Sequence, residues 1–205
     1  MTMLPSIKGS VVAGHAEVLQ KYLASRTLDP AGLERYFRPG DLELLAGPIV
    51  ATEWYDISMY RRLLEFLRDY PGEGDNDYLI AAGRRSAEAL IRAGIYQQME
   101  YLRRTQHSSV DDPRERFLAF GRDLRLLCSL SQSILNFVKA EVVVDPDHPD
   151  RWVQEYRDAR DYPEVLCWTT QGFCNRMAEE HGSPDLWRWQ RLSPQLLQFR
   201  MNYPL

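Results

Sequence analysis

The chain has 205 residues, of which 44% are apolar, and it includes five Trp, eleven Tyr and seven Phe. This length suits one large domain, and the apolar and aromatic share is enough to form a core, which excludes a disordered chain. The formal net charge of −4 argues against a general nucleic-acid binder, because such proteins carry a basic excess. We therefore expect a single domain over residues 1–205 that binds no nucleic acid.

The sequence contains neither a secretory signal pattern nor a membrane span. No sustained apolar segment follows the N-terminus, and no stretch approaches the roughly 20 apolar residues that cross a bilayer. The three cysteines, Cys128, Cys167 and Cys174, are an odd number, which fits a reducing compartment better than a set of disulfides. We therefore expect a cytoplasmic protein.

Apolar residues recur at helical spacing through the first two thirds of the chain. Together with Pro, Gly and Asp punctuation, this spacing predicts helices over 11–24, from Pro30 to Phe37, over 41–45, over 53–69 and from Asp75 or Asn76 to about 103. Residues 107–112 predict a polar loop. The last of these helices has an inner face of small residues, which indicates close packing against a neighbouring element: Ala82, Gly83, Ser86, Ala87, Ala93 and Gly94.

The most strongly patterned helix begins at Asp112-Pro113 and extends to Val138. Spacings of three and four residues place one apolar seam along it: Phe117, Phe120, Leu124, Leu127, Ser131, Ile134 and Val138. Further leucines widen this surface, which is typical of a central core helix or of a subunit interface. Core packing is the favoured interpretation. In the alternative, Phe117, Phe120, Leu124 and Leu127 contact a second copy of the chain or a partner protein.

After Val138 the apolar period changes to that of a strand. The pattern predicts strands over 140–144, 152–157, 186–192 and 196–203, with a helix from Tyr162-Pro163 to about His181 between the two pairs. In the last strand, an apolar set that we expect to face inward with Trp187 and Trp189 alternates with a polar set that we expect to face solvent or a partner: Leu197, Phe199, Met201 and Tyr203 against Gln198, Arg200 and Asn202.

These elements predict the fold class α+β. A helical part, about 1–138, packs on a β-rich part, about 139–205, whose antiparallel sheet has about four strands and one intervening helix.

No motif in the sequence indicates catalysis or metal binding. The four histidines stand in no recognisable nucleophile motif, and Cys128 lies in the most apolar helix, where an inert thiol is expected. The metal-ligand spacings C-x-x-C, H-x-x-x-H and H-E-x-x-H are missing, and the aspartates around His148 are ordinary turn residues. We expect no catalytic residue, no metal site and no cofactor.

Four of the five tryptophans lie in the last third of the chain. An aromatic cluster of this kind is either plain core or the wall of a pocket for a small apolar ligand, and the sequence leaves both open. In the pocket interpretation, six residues form the wall: Trp168, Trp187, Trp189, Phe199, Met201 and Tyr203.

Several short motifs follow one another in a recognisable order: Ile7-Lys8-Gly9-Ser10, Leu44-Leu45-Ala46-Gly47, Trp54-Tyr55 with Tyr60, Gly83-Arg84-Arg85-Ser86-Ala87-Glu88, Ile95-Tyr96, Tyr162-Pro163, Cys167 and Gly172-Phe173. Their order, over most of the chain, resembles a family of uncharacterised proteins found as multiple paralogues in myxobacteria. That family is distantly similar to the H-NOX and four-vinyl-reductase ligand-binding domains.

The distant similarity implies helices N-terminal to an antiparallel sheet, and a sensor that encloses a small apolar molecule between them. The chain departs from both relatives. The H-NOX haem signature Y-x-S-x-R is absent, since Tyr55, Ser58 and Arg61 have the wrong spacing, and Trp187 and Trp189 stand in place of the paired cysteines of the four-vinyl-reductase type. Haem or metal dependence is therefore not carried over. We expect a non-catalytic small-molecule-binding or sensory domain; the alternative is an interaction or scaffold module that docks through helix 114–138.

Overall fold

A computed structural model of the protein describes residues 4–25, 30–93 and 112–205. In chain order they form β1 (Ser6–Lys8), α1 (Gly9–Ser25), α2 (Pro30–Glu34), α3 (Asp41–Ala46), β2 (Trp54–Asp56), α4 (Ile57–Asp69), α5 (Asp77–Arg92), α6 (Pro113–Ile134), β3 (Lys139–Val144), β4 (Trp152–Arg157), a 3₁₀ turn (Ala159–Asp161), α7 (Glu164–Glu179), β5 (Trp187–Ser193) and β6 (Leu196–Met201). The fold is α+β, as the sequence predicts.

The C-terminal sheet is antiparallel, with strand order β3-β4-β6-β5. Two hairpins form it, and α7 connects them along the chain, which confirms the predicted arrangement of four strands and one intervening helix. β3 and β5 are therefore the edge strands.

A second, small sheet in the helical part differs from the prediction. β1 and β2 pair antiparallel over three residues each. The helix expected from residue 53 begins instead at Ile57, because Asp56 caps it by accepting a hydrogen bond from the Ser58 N–H at 2.7 Å. Trp54 and Tyr55 belong to β2 because they pair with Lys8 and Ile7 of β1.

Some expectations concern residues outside the described part of the chain. The end of the helix expected near residue 103 and most of the polar loop 107–112 fall there. In the described part of the chain, α5 extends to Arg92.

α5 and α7 approach each other closely, as the small-residue face of α5 predicts. A Cβ atom added to Gly83 would collide with the carbonyl oxygen of Thr169, and one added to Gly172 would collide with that of Ile80. Because each glycine lies against the other helix's backbone, the two helices touch backbone to backbone. This contact fixes α7 against the helical part of the chain.

α6 packs on the sheet through a flat contact with Trp152. The indole stacks on Phe117 with ring centroids 4.5 Å apart, and the guanidinium of Arg125 lies 4.8 Å from its ring. A Cβ on Gly121 would collide with it. These three residues follow one another at intervals of four on α6, so one row of the helix receives the indole. Trp152 Nε1 donates to the Phe117 carbonyl at 3.0 Å.

The final hairpin faces the core as expected on its apolar side, but its polar side is not simply solvent-exposed. Leu197, Phe199 and Met201 are buried. Gln198, expected to face solvent or a partner, is only 8% exposed, because its amide donates to Glu155 Oε1 at 2.7 Å and accepts from Gln190 Nε2 at 3.2 Å.

Arg200, on the same side of the hairpin, is tied down as well. Its guanidinium binds the buried carboxylate of Asp145 in a bidentate manner, at 2.6 and 3.1 Å, and also reaches Asp147 at 3.0 Å. The β3–β4 turn is therefore anchored to β6.

Candidate functional site

The face of α7 that meets β5 carries buried amide side chains. Asn175 Oδ1 accepts from the Trp187 N–H at 2.6 Å, and Asn175 Nδ2 donates to the Trp187 carbonyl at 3.3 Å. One turn earlier, Gln171 Oε1 accepts from the Trp189 N–H at 3.0 Å. These contacts hold β5 beside α7 and fix the side chain of Trp189 near the helix.

Trp168 of α7 and Trp189 of β5 meet edge to face, with ring centroids 5.1 Å apart and an interplanar angle of 84°. Both residues are half-buried, yet the Nε1 atom of each is fully buried and has no hydrogen-bond partner. Five buried side-chain polar atoms of the described residues lack a partner, and two of them are the nitrogens of these contacting indole rings. The sequence places both tryptophans in the candidate pocket, but it gives no sign of the unsatisfied donors.

An open groove of about 540 Å³ lies at the ends of the two elements that carry this pair. Its lining comes from the 3₁₀ turn, the start of α7 and the end of the β5–β6 hairpin: Arg160, Tyr162, Glu164, Arg191, Ser193 and Pro194. Trp168 is one helical turn beyond Glu164, and Trp189 is two residues before Arg191 on the same strand face. The two tryptophans are thus the next side chains along the elements that line the groove.

The polar groups of the groove differ in how firmly they are held. Arg191 donates to the carbonyls of Ala159 and Tyr162 at 3.0 and 2.6 Å, so its guanidinium is fixed in place. Arg160 and Glu164 are exposed. The Tyr162 hydroxyl lies 2.6 Å from Thr170 Oγ1. Burial raises the pKa of Tyr162 well above its ordinary value, so this phenol stays protonated.

The six residues of the expected pocket wall are divided between core and surface. Trp187, Phe199 and Met201 are at most 2% exposed and form a packed layer under β5 and β6. Trp168, Trp189 and Tyr203 keep exposed surface, and the Tyr203 hydroxyl donates to the Pro184 carbonyl. The groove has none of the six in its lining.

The four residues proposed for an interface on α6 pack against their own chain. Phe120 and Leu124 are 3% and 4% exposed. Phe117 stacks on Trp152, and Leu127 packs against Ala87 and Met177. The seam faces inward because the sheet and α5 cover it. The leucines that α6 exposes are others: Leu118, Leu126 and Leu130.

The three thiols are not activated. Burial raises the pKa of Cys128, Cys167 and Cys174 to about 12 in each case, so all three are protonated at neutral pH. Gln154 bridges two of them, with its Oε1 3.6 Å from Cys128 Sγ and its Nε2 3.7 Å from Cys174 Sγ. Within the described residues, no group of three or more His, Cys, Asp or Glu side chains is placed to hold a metal ion. No helix there is both long and apolar enough to cross a membrane.

Comparison with solved structures decides the fold. Two crystal structures of an H-NOX protein from K. algicida, both Fe(II) unliganded and one of a mutant, match nearly the whole chain. The mutant has a TM-score of 0.57 at 13% identity, with 96% of each chain covered; the other has a TM-score of 0.52 at 15% identity, covering 97% of this chain and 98% of that one. The chain has the H-NOX fold. No protein-family model and no curated protein sequence matches it.

The described residues do not provide the three side chains of the H-NOX haem signature. The nearest match to Y-x-S-x-R is Tyr156, Asp158 and Arg160, with Asp in place of Ser. Tyr156 is buried against the rings of Tyr162 and Phe199, while Asp158 is largely exposed and pairs with Lys139 at 3.0 Å. Of the three, Arg160 alone lines the groove.

The groove also offers haem no suitable iron ligand. An axial ligand in proteins is a histidine, a thiolate, a methionine or a tyrosine. The groove has no His, Cys or Met in its lining, and the hydroxyl of its one tyrosine is already bound to Thr170. His107 lies outside the described residues.

Sequence reasoning missed the groove because its lining is ordinary in composition and split between residues 160–164 and 191–194. Arg160 had one usable signal, its position at the end of the Y-x-D-x-R near match. The other lining residues stand in no motif, and the fold alone brings them together.

Proposed function

We propose that the chain is a non-catalytic small-molecule-binding domain with a sensory or regulatory role, and that its ligand lies in the groove lined by residues 160–164 and 191–194 and extends towards Trp168 and Trp189. The observation that carries this proposal is the pair of buried indole N–H donors without an acceptor. The protonated thiols and the lack of histidine in the groove's lining agree with a binding rather than a catalytic role.

Two unsatisfied donors side by side are unusual in a folded protein. Most buried polar groups are hydrogen-bonded, and each unpaired one costs about 1–3 kcal/mol. In an edge-to-face pair only one ring presents its edge to the other, so an N–H···π contact serves one indole at most. Because both Nε1 atoms are fully buried, an acceptor on a molecule in the groove would reach the second donor, or both, after the indole rings turn towards it.

The surroundings define the ligand's general chemistry. A volume of about 540 Å³ lies within the range of small-molecule sites. Trp168 and Trp189, the next side chains along the lining elements, would add flat apolar surface, while Arg160 and Glu164 place one exposed charge of each sign at the lining. We therefore expect a largely apolar molecule that carries at least one hydrogen-bond acceptor.

Native mass spectrometry of freshly purified protein tests the proposal, because it reports subunit number and co-purifying ligand together. The expected result is a discrete added mass on each subunit that is reduced in the Trp168→Phe/Trp189→Phe variant, which keeps an aromatic ring at each position but lacks the two donors. Trp54→Phe, at an exposed tryptophan stacked under Lys8, is the matched control. An added mass that survives the double variant would refute the proposed site, and a mass equal to the bare chain would refute the proposed function.

A further inference from the structure

Arg191 differs from the other arginines that are withdrawn from solvent. An arginine in such a position usually forms an ion pair with a carboxylate. Among the described arginines that are buried or half-buried, all but Arg191 have a carboxylate oxygen within 4.0 Å of a guanidinium nitrogen: Arg62, Arg68, Arg84, Arg151, Arg176 and Arg200. Arg191 has no acidic side chain of the described residues within that distance.

The groups that hold Arg191 are neutral. Two of its five N–H donors are taken by the carbonyls of Ala159 and Tyr162, at 3.0 and 2.6 Å. The nearby thiol of Cys167 supplies no negative charge, because burial raises its pKa to about 12. The guanidinium is therefore fixed in place while its charge is not compensated by the groups that hold it, and further N–H donors remain for another molecule.

The other charged residues of the groove's lining leave room for one negative charge. Arg160 and Glu164 are both exposed, and neither forms an ion pair with a side chain in the described part of the chain. With Arg191 they give the lining a net charge of +1, in contrast to the −4 of the whole chain. This charge matches a monoanion such as a carboxylate. A phosphate dianion fits less well, because Glu164 repels the second negative charge.

We propose that Arg191 binds a carboxylate of the ligand, and that the ligand is a small monocarboxylic acid with a flat apolar body. The inference rests on the proposed function, since it concerns the same groove. Trp189 lies two residues before Arg191 on the same face of β5, about 7 Å away along the strand. A short acid therefore spans the distance from the guanidinium to the indole.

A fixed arginine is well suited to this role. Its planar N–H groups match the two oxygens of a carboxylate, which a lysine ammonium does not. Because the carbonyls of Ala159 and Tyr162 already hold the side chain, Arg191 loses little conformational freedom when an anion binds.

Two probes of the same shape test the inference: naphthalene-2-carboxylate and naphthalene-2-carboxamide. Both have a flat apolar body and a carbonyl acceptor, but only the carboxylate is charged at neutral pH. Calorimetric titration uses the full chain, freed of any co-purifying molecule by unfolding and refolding. The carboxylate should bind at least about tenfold more tightly than the amide, because charge-assisted hydrogen bonds are roughly twice as strong as neutral ones.

The Arg191→Gln variant should bind the two probes equally, with the parent's affinity for the amide. That unchanged affinity shows that the groove of the variant is folded, and should the variant not fold, the comparison of the two probes on the parent decides alone. Arg122→Gln, at an exposed arginine of α6, is the matched control and should keep the parent's preference for the carboxylate.

Two results separate this inference from the proposed function. If the parent binds both probes with equal affinity, or if the preference for the carboxylate survives in Arg191→Gln, the role of Arg191 is refuted and the groove remains a binding site. If the parent binds neither probe, the groove is not the binding site, and both the inference and the proposed function fail.

Discussion

The side-chain amide of Asn175 pairs with the backbone of Trp187 in the way a neighbouring strand would, accepting from its N–H at 2.6 Å and donating to its carbonyl at 3.3 Å. Trp187 lies on the edge strand β5, whose outer side has no further strand among the described residues. Gln171, one turn before Asn175, does the same for the N–H of Trp189. α7 therefore closes the sheet edge with two amides, and the same contacts bring Trp189 beside Trp168.

Replacing Asn175 should show how much this closure contributes. Asn175→Ala leaves a buried backbone donor and a buried acceptor unpaired, so we expect a loss of about 2–4 kcal/mol in the free energy of unfolding. Asn202→Ala, at an exposed asparagine just after β6, should change it by less than about 0.5 kcal/mol. Urea unfolding of the two variants makes the comparison. If the urea midpoints of the two variants coincide, the side-chain amide of Asn175 does not stabilise the edge strand β5.

The backbone contact between α5 and α7 predicts opposite effects for glycines in different helices. Gly83→Ala and Gly172→Ala each force the helices apart and should cost about 3 kcal/mol. Gly14→Ala, in α1, adds a methyl group to open space and should stabilise the protein by about 0.5–1 kcal/mol, because alanine is the better helix former. Thermal unfolding distinguishes the signs. A Gly83→Ala variant as stable as the parent would show that α5 and α7 are farther apart than described.

For the final hairpin we expect two losses of stability, a large one on its apolar side and a smaller one on its polar side. Phe199 is fully buried, so Phe199→Ala should cost about 3–5 kcal/mol. From the sequence, Gln198 looks like a neutral surface site, but its hydrogen bonds to Glu155 and Gln190 raise the expected cost of Gln198→Ala to about 1–2 kcal/mol. Urea midpoints of both variants test this order. A Gln198→Ala variant with the same urea midpoint as the parent would mean that Gln198 behaves as an exposed side chain, as the alternation in the sequence predicts.

His15 should make the protein less stable in mild acid. Burial lowers the pKa of His15 below its ordinary value, and the nearby charge of Arg85 lowers it further, although a hydrogen bond to the Val11 carbonyl opposes them. The unfolded chain, with a histidine pKa of about 6.5, therefore binds more protons than the folded one below that pH. Stability is full above about pH 7 and falls as the pH drops from about 6.5 towards the folded pKa.

The test of this prediction is urea unfolding at about pH 7.5 and about pH 5.5. The parent should lose roughly 1 kcal/mol between the two, and His15→Gln should remove most of that loss. His148→Gln, at an exposed histidine in the β3–β4 turn, is the control and should lose as much stability in acid as the parent. A His15→Gln variant with the parent's full acid loss would show that another group is responsible.

Features that depend on neighbouring residues in the chain can be predicted from the sequence, and features that depend on contacts between distant residues cannot. The helices and the four-strand sheet are predictable because each element has an apolar period of its own, as Phe199 and Met201 show in β6. β1 and β2 are missed because three residues are too few to display alternation. The burial of Gln198 is missed because its partners, Glu155 and Gln190, lie on other strands.

The candidate site is less predictable than the fold. The sequence assigns Trp168 and Trp189 to a ligand pocket on their aromatic character alone. It cannot tell that Trp187 belongs to the packed core while Trp189, two residues later, keeps exposed surface. That difference follows from how α7 lies across β5, which Gln171 and Asn175 determine from more than ten residues away. Long-range hydrogen bonds of this kind leave no local pattern.

The indole N–H signals of the five tryptophans, observed by ¹⁵N-labelled NMR, test the central claim most directly. Each can be assigned by a Trp→Phe variant, and the protein as purified is compared with the same protein after its ligand has been removed by unfolding and refolding. In the stripped protein, Trp168 and Trp189 should give the shifts of N–H groups without an acceptor, and both should move in the ligand-bound protein. Trp152, which already donates to Phe117, should stay unchanged. Trp168 and Trp189 signals that are identical in the two samples, while other residues respond to the ligand, would contradict the account.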